Sequence, residues 1–192
     1  RQRQMCIRDR SKAEGQAVLL HACCAPCSAA IVECMLRNGM KPTVYFSNSN
    51  IYPQQEYDVR KHELKRFLEA QNIPYVEDEY DHHEWLSVIK GLEDEPERGS
   101  RCSVCFQFRL SHAAKYAQEH GFHLLTTTLA SSRWKNIRQI DTAGHLAVEA
   151  YPDVEWWDMN WRKGGLQNRR GELLRINEFY NQLYCGCEFS MR

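Results

Sequence analysis

Short apolar runs alternate with longer helical patterns along most of the chain, and this alternation limits the fold more than any other feature. Five runs have the character of buried strands, namely AVLLHA, PTVYFSN, IPYVE, FHLLTTTL and the more aromatic VEWWDMNW. Because a helical segment separates each strand from the next, consecutive strands should lie parallel in one sheet. We therefore predict an α/β fold: a single Rossmann-like parallel sheet with helices on both faces.

Helical patterns fill the intervals between the strands. We predict helices over residues 26–39, 53–71, 81–91, 101–120, 131–150 and 168–184. The opening segment RQRQMCIRDR has neither helical nor strand periodicity, and we expect residues 1–14 to be a foreign or disordered tail. Residues 15–192 are long enough for one domain with a substantial core.

The charge composition excludes a protein that coats nucleic acid by electrostatics alone, since 25 basic residues are balanced by 25 acidic ones. A nucleic-acid partner would need a local basic patch. The sequence has no apolar run near the roughly 20 residues that cross a bilayer, so we expect no membrane contact and a cytoplasmic location. In that compartment grouped cysteines more often bind metal or take part in catalysis than form structural disulfides.

Seven of the nine cysteines occur in three tight groups. These are Cys23, Cys24 and Cys27; Cys102 and Cys105; and Cys185 and Cys187. The first group follows the first predicted strand, at the carboxyl edge where parallel sheets bind ligands. Two C-x-x-C pairs would suit tetrahedral zinc, whereas adjacent cysteines more readily bind different irons of one cluster. The chemistry of the cysteines alone leaves three interpretations open: an iron–sulfur cluster, structural zinc or a metal-free dithiol enzyme.

Other residues near the predicted carboxyl edge allow two interpretations each. Cys185 and Cys187 could form a strained, labile disulfide that relays electrons, or could be two more metal ligands. Asp81 could be a metal ligand or proton donor, or simply the cap of the following helix. We expect His82 and His83 to be solvent-exposed, and His21 to be a hydrogen-bonded buried residue.

Five motifs together resemble epoxyqueuosine reductases of the QueH type. They are LLHACCAPCS, NSNIYPQQEYDVR, ERGSRCSVCFQFRL, TTTLASSRWKN and YCGCEFS, and the resemblance extends from about residue 18 to residue 190. It implies a Rossmann-like fold of the HUP (nucleotide alpha hydrolase-like) kind, and an iron–sulfur reductase domain that converts epoxyqueuosine to queuosine in tRNA. It also implies a [4Fe-4S] cluster, an additional mononuclear iron and an external electron donor. The implied cluster ligands are Cys23, Cys24, Cys102 and Cys105, and the implied redox pair is Cys185 and Cys187.

The implied chemistry removes an epoxide oxygen as water, and it needs two electrons and two protons. We expect Cys27 to hold the second metal ion, which would act as a Lewis acid, and Asp81 to be a possible proton donor. The implied substrate is tRNA with epoxyqueuosine at the anticodon wobble position. Proteins recognise such loops through splayed bases that stack on aromatic or arginine side chains. Candidate substrate contacts are Asn48, Asn50, Tyr52, Glu56, Thr127, Thr128, Arg133 and Lys135.

Two segments interleave basic and aromatic residues, as expected of a platform for the anticodon loop. They are Arg133-Trp134-Lys135 with Arg138, and Trp161-Arg162-Lys163 with Arg169-Arg170. Core tryptophans flanked by solvated charges would give the same pattern. Two other functions remain as alternatives. A zinc-stabilised RNA-binding module is one, and an ATP-dependent tRNA-modifying enzyme of the same fold is disfavoured because HACCAPCS lacks glycines for a phosphate loop.

Overall fold

The computed structural model describes residues 15–191, so the predicted tail over residues 1–14 lies outside the described residues. Five strands run in the order β1 (Ala17–His21), β2 (Lys41–Phe46), β3 (Tyr75–Glu77), β4 (Leu124–Thr127) and β5 (Glu155–Trp156). The helices are α1 (Ala25–Arg37), α2 (Gln54–Ala70), α3 (His82–Val88), α4 (Ser100–Glu119), α5 (Ile137–Val148) and α6 (Leu166–Ile176). Two 3₁₀ turns cover Thr128–Ser131 and Glu188–Ser190.

The strands form one all-parallel sheet in the order β3-β2-β1-β4-β5. The predicted fold class is therefore confirmed. The chain builds outward from β1 to β3 and then crosses back to place β4 on the other side of β1. The loops after β1 and β4 diverge at this reversal, and this leaves a crevice in which open α/β sheets bind ligands.

Apolar residues pack on both faces of the sheet. In β1, Val18 and Leu20 join one core cluster and Leu19 joins the other, as the two-residue period of a strand requires. The helices α1, α2 and α6 cover the first face, and α4 and α5 cover the second. All three β1 side chains are fully buried, and each stabilises the fold by roughly 1.5–3 kcal/mol.

Two predicted helices are shorter than expected. The helix predicted from residue 131 begins only at Ile137, because Asn136 caps it by accepting hydrogen bonds from the N–H groups of Arg138 and Gln139. The helix predicted to reach residue 184 ends at Ile176, since Glu178 has a left-handed φ of 51° that a helix cannot continue. The following residues run across the carboxyl edge of the sheet instead.

No helix between residues 15 and 191 combines the length and the apolar character that a bilayer crossing needs. The longest helix, α4, has 20 residues and includes several charged side chains.

Candidate active site

Three cysteines converge at the carboxyl end of β1. Cys23 and Cys24 lie in the turn that follows the strand, and Cys27 lies in the first turn of α1. Their Sγ atoms all lie within 4.8 Å of one another, with 3.7 Å between those of Cys23 and Cys24. We call these residues the sulfur trio. Three soft, largely buried thiol donors at one point suit a thiophilic metal ion or an iron–sulfur cluster.

The loop after β4 holds the sulfur trio from the other side of the crevice. The Thr128 hydroxyl accepts a hydrogen bond of 3.2 Å from the Cys23 backbone N–H and lies 3.5 Å from the Cys23 sulfur. Thr127 is fully buried, and its hydroxyl contacts His21 and accepts from the Leu129 N–H. Both threonines therefore already bind protein groups, and their proposed contact with substrate stays a prediction.

His21 is a buried, fully hydrogen-bonded residue, as expected from the sequence. Its Nε2 lies 3.0 Å from the Ser47 carbonyl and must donate, so Nδ1 accepts from the Thr127 hydroxyl at 2.8 Å. Burial, followed by the positive charge of Arg109, lowers the pKa of His21 to about 3. The imidazole is therefore neutral and links β1, β2 and β4.

Hydrogen bonds within the sulfur trio favour ionisation of Cys23. Those from the Cys24 and Cys27 thiols lower the pKa of Cys23, and the charge of Arg109 lowers it further against the effect of burial. The hydrogen bond to Cys23 raises the pKa of Cys27 to about 11.

Arg109 is a buried cation at this site that our sequence analysis missed. Its Nε donates to the Ser47 carbonyl at 3.2 Å, and its Nη2 donates to the Asn48 side-chain oxygen. Asn48 is buried and in turn donates to the Ala22 carbonyl at 2.8 Å, and its contact with substrate stays a prediction. The signal was present in the sequence, because Cys102, Cys105 and Arg109 have the spacing of one helix face.

Cys102 and Cys105 lie in the first two turns of α4 and do not belong to the 4.8 Å group of the sulfur trio. The Cys102 sulfur accepts a hydrogen bond of 3.3 Å from the Arg98 N–H. Cys105 is buried in a small apolar cluster with Trp85, Ile89 and Cys187. The ligand set of Cys23, Cys24, Cys102 and Cys105 therefore stays a prediction.

Residues 177–191, which we call the C-terminal strap, lie over the sulfur trio. Gln182 Nε2 donates to the Cys24 sulfur at 3.1 Å, and Lys135 Nζ donates to the Cys185 sulfur at 3.0 Å. Burial opposes ionisation of Cys185, but the charge and hydrogen bond of Lys135 outweigh it and lower the pKa of the thiol. In the described residues Cys185 and Cys187 are both free thiols.

Glu56 anchors the C-terminal strap, and its contact with substrate stays a prediction. One carboxylate oxygen accepts from Arg60 Nε and the other accepts from the Tyr180 hydroxyl, both at 2.8 Å. Arg60 itself is buried and donates to two strap carbonyls. The sequence offered no sign of this role, since Arg60 looks like any charged residue of a polar helix.

Two other predicted substrate contacts remain available at the carboxyl edge. Asn50 is buried, and its side-chain oxygen has no hydrogen-bond partner among residues 15–191. A buried acceptor in this state is costly unless a ligand satisfies it. The Tyr52 ring is partly exposed and stacks on His82 with 5.2 Å between ring centroids.

Asp81 is the cap of α3, because its Oδ1 accepts a hydrogen bond of 2.8 Å from the Glu84 N–H. Its role in catalysis stays a prediction. His83 is exposed as expected, but the prediction of an exposed His82 is wrong. His82 Nδ1 lies 2.8 Å from the Ser49 carbonyl, and Nε2 lies 2.9 Å from the Glu188 carboxylate, so the ring joins α3 to the C-terminal strap.

The two predicted RNA platforms differ in the exposure of their tryptophan side chains. Trp134 is 75% exposed beside the exposed Arg133, on a loop that Arg98 pins by donating to the Trp134 carbonyl at 2.8 Å. Trp161 is fully buried and donates to the Thr126 hydroxyl at 3.3 Å, so it belongs to the core. Arg169 is paired with Glu33 at 2.7 Å. The first segment therefore has an exposed ring, that of Trp134, on which a base could stack. The second segment has none, because Trp161 is buried.

Comparison with known proteins gives a consistent result across almost the whole chain. A family model described as Epoxyqueuosine reductase QueH matches residues 18–192. A protein of that name from Histophilus somni is 49% identical over 175 residues, which is 91% of this chain and 72% of the relative. Proteins of the same name from Haemophilus influenzae and Acinetobacter baylyi are 48% and 47% identical, also over 91% of this chain, and cover 71% and 80% of those relatives.

Proposed function

Because the chain belongs to the epoxyqueuosine reductase QueH family, we propose that it reduces epoxyqueuosine to queuosine in the anticodon loop of tRNA. It is an oxidoreductase of queuosine biosynthesis. The observation that carries the proposal is the sulfur trio, whose three sulfurs lie within 4.8 Å in the crevice beside β4. The proposal includes tRNA as the substrate, an external electron donor and a cytoplasmic location.

The sulfur donors fit a redox-active metal group. In this proposal a [4Fe-4S] cluster is held by Cys23, Cys24, Cys102 and Cys105, and Cys27 contributes to an adjacent mononuclear iron. When bound, such a group supplies electrons one at a time. Arg109 supports this assignment because a buried cation beside several thiolates offsets their negative charge.

The reaction converts an epoxide, two electrons and two protons into an alkene and water. The dithiol of Cys185 and Cys187 can supply these two electrons and two protons, since they are released when one disulfide closes. The external donor would then restore the dithiol. Lys135 holds a proton on Nζ at 3.0 Å from the Cys185 sulfur, so it can stabilise the thiolate that this cycle regenerates.

The tRNA would bind at the same edge of the sheet. The exposed Trp134 ring offers a face on which a splayed anticodon base can stack, and Arg133 adds a nearby positive charge. The unpartnered Asn50 oxygen can accept a hydrogen bond from the modified base. Tyr52 lies on the same edge and can extend the stacking surface.

The first experiment identifies the metal group. The protein is purified without oxygen, its visible spectrum is recorded, and iron, labile sulfide and zinc are assayed. We expect a brown protein that bleaches with dithionite and contains iron and sulfide. A colourless protein with stoichiometric zinc, after iron–sulfur reconstitution has failed, would refute the cluster and favour the zinc-stabilised RNA-binding module.

The second experiment measures the reaction itself. The anaerobic protein is given tRNA that contains epoxyqueuosine, together with a chemical reductant, and the nucleosides are separated after digestion. We expect queuosine to form, and we expect the Cys27→Ala variant to lose turnover. An iron-loaded protein that forms no queuosine would overturn the proposed reaction.

A further inference from the structure

We propose that Arg60 is a positioning residue, which holds the Cys185-Gly186-Cys187 turn in its dithiol arrangement and thereby makes the disulfide of this pair more oxidising. The inference rests on the redox role proposed above for the two cysteines. It concerns the equilibrium between dithiol and disulfide, which can be measured without tRNA.

The Arg60 side chain contacts the peptide groups on both sides of Cys185. Its Nη1 donates to the Cys185 carbonyl at 3.1 Å, and its Nη2 donates to the Tyr184 carbonyl at 3.2 Å. Arg60 is only 1% exposed, so these bonds do not compete with bulk water. A planar guanidinium that donates to two adjacent carbonyls fixes the orientation of both peptide planes.

The guanidinium is itself held in place. Its Nε donates to Glu56 at 2.8 Å, and the other carboxylate oxygen of Glu56 accepts from the Tyr180 hydroxyl. The Tyr184 ring lies 5.4 Å from the Arg60 carbon Cζ, within the range of a cation–π contact. Arg60 is therefore a rigid support rather than a mobile surface charge.

The turn packs directly against this support. Gly186 has a φ of 118°, and a Cβ built there would lie 3.1 Å from Arg60 Nη1 and 3.0 Å from Ile51 Cγ1. The Gly186 carbonyl also accepts from the Tyr52 N–H at 2.8 Å. The backbone between the two cysteines is thus held on both of its sides.

The two sulfurs occupy different surroundings in this arrangement. The Cys185 sulfur lies 3.0 Å from Lys135 Nζ, whereas Cys187 packs in the apolar cluster that contains Trp85 and Cys105. Closing a disulfide across one residue would require the peptide groups that Arg60 holds to rotate. A contact that is made only in the dithiol state stabilises the reduced form. It therefore raises the reduction potential of the Cys185–Cys187 pair.

The test measures the dithiol–disulfide equilibrium in the anaerobically purified protein. Samples are equilibrated with oxidised and reduced glutathione at set ratios, alkylated and digested with trypsin. The peptide that follows Arg175 contains Cys185 and Cys187 and no other cysteine, so mass spectrometry gives the oxidised fraction directly. We expect Arg60→Met to raise the equilibrium constant for oxidation about tenfold, which is a potential lower by about 30 mV.

Two further variants separate positioning from a general loosening of the fold. Arg60→Lys keeps the charge but cannot donate to two carbonyls in the same geometry, so we expect a shift in the same direction. Arg60→Lys also replaces Arg60→Met in the test if the methionine variant does not fold. Arg66→Lys is the matched control, because Arg66 is on the same helix and donates to the strap carbonyl of Asn177 at 3.3 Å from an exposed position.

Each outcome decides between the claims. An unchanged equilibrium in the Arg60 variants, or an equal shift in Arg66→Lys, would overturn the role of Arg60 and leave the redox pair intact. A wild-type protein that forms no Cys185–Cys187 disulfide even in oxidised glutathione would refute the redox pair itself. A shift confined to the Arg60 variants, at an unchanged melting temperature for Arg60→Lys, would support the inference.

Discussion

Replacing Gly144 with alanine should destabilise the protein, although alanine is the better helix former. Gly144 lies in α5, and a Cβ built there would be 2.2 Å from Cε2 and 2.3 Å from Cδ2 of the Trp156 ring. Carbon atoms normally approach to about 3.5–4.0 Å, so the buried ring or the helix must move by more than about 1 Å. Such overpacking costs about 1–3 kcal/mol.

The gain in helix propensity offsets part of that cost. Gly→Ala in a helix interior is worth about 1 kcal/mol, which leaves a net loss of up to about 2 kcal/mol. For a chain of this size, we expect the melting temperature to fall by up to about 8 °C. The measurement is thermal and urea unfolding of wild type and Gly144→Ala, prepared together and with equal metal content.

Gly171 provides the matched control, because it lies inside α6 and a Cβ there would meet nothing within 4 Å. We expect Gly171→Ala to stabilise the protein by about 0.5–1 kcal/mol. If Gly144→Ala were as stabilising as Gly171→Ala, the close packing of α5 on Trp156 would be refuted.

Three further predictions concern the site and its electrostatics. Lys135→Met should slow alkylation of the Cys185 thiol about tenfold near pH 7, because the thiolate loses its ammonium partner, and peptide mass spectrometry measures this rate. Trp134→Ala should weaken tRNA binding by about 1–3 kcal/mol in a filter-binding assay, since one stacking face is lost. The Asp78–His112 pair, joined at 2.8 Å, should lose about 1 kcal/mol of stability as pH rises through the raised pKa of His112, measured as urea unfolding against pH.

Each of these predictions has its own control. Lys163→Met removes an exposed lysine and should leave the alkylation rate of Cys185 unchanged, so equal slowing in both variants would contradict the direct pairing. Trp134→Phe should bind tRNA almost as tightly as wild type, because phenylalanine keeps an aromatic face. Binding as weak as that of Trp134→Ala would count against stacking. The hydrogen bond that His112 donates to Asp78 raises the pKa of His112, so the pair stabilises the fold fully below the pKa that His112 has in the unfolded chain. If wild type and a His112→Gln variant lost stability in parallel as the pH rises, this contribution of the pair would be excluded.

The predictions that came from periodicity were the most accurate. The five strands and the position of the sulfur trio after β1 follow from apolar patterns that a short segment carries by itself, and the parallel direction of the strands follows from their alternation with helices. The helix ends were less accurate, since the cap at Asn136 and the left-handed Glu178 depend on single residues that leave little trace in a pattern. The two basic and aromatic segments could not be told apart from the sequence. Trp134 and Trp161 have similar neighbours along the chain, but only Trp134 is exposed.

The sequence by itself determined the class of fold, the edge of the sheet that carries chemistry and the cysteines gathered there, because these depend on local patterns and on spacing. Only the tertiary structure revealed that Arg60 supports the turn between Cys185 and Cys187, and that Arg109 places a buried charge beside the sulfur trio. A charged residue in a helix pattern looks solvated until its partners are known. Those partners come from distant parts of the chain, and burial together with hydrogen bonding decides what each charge does.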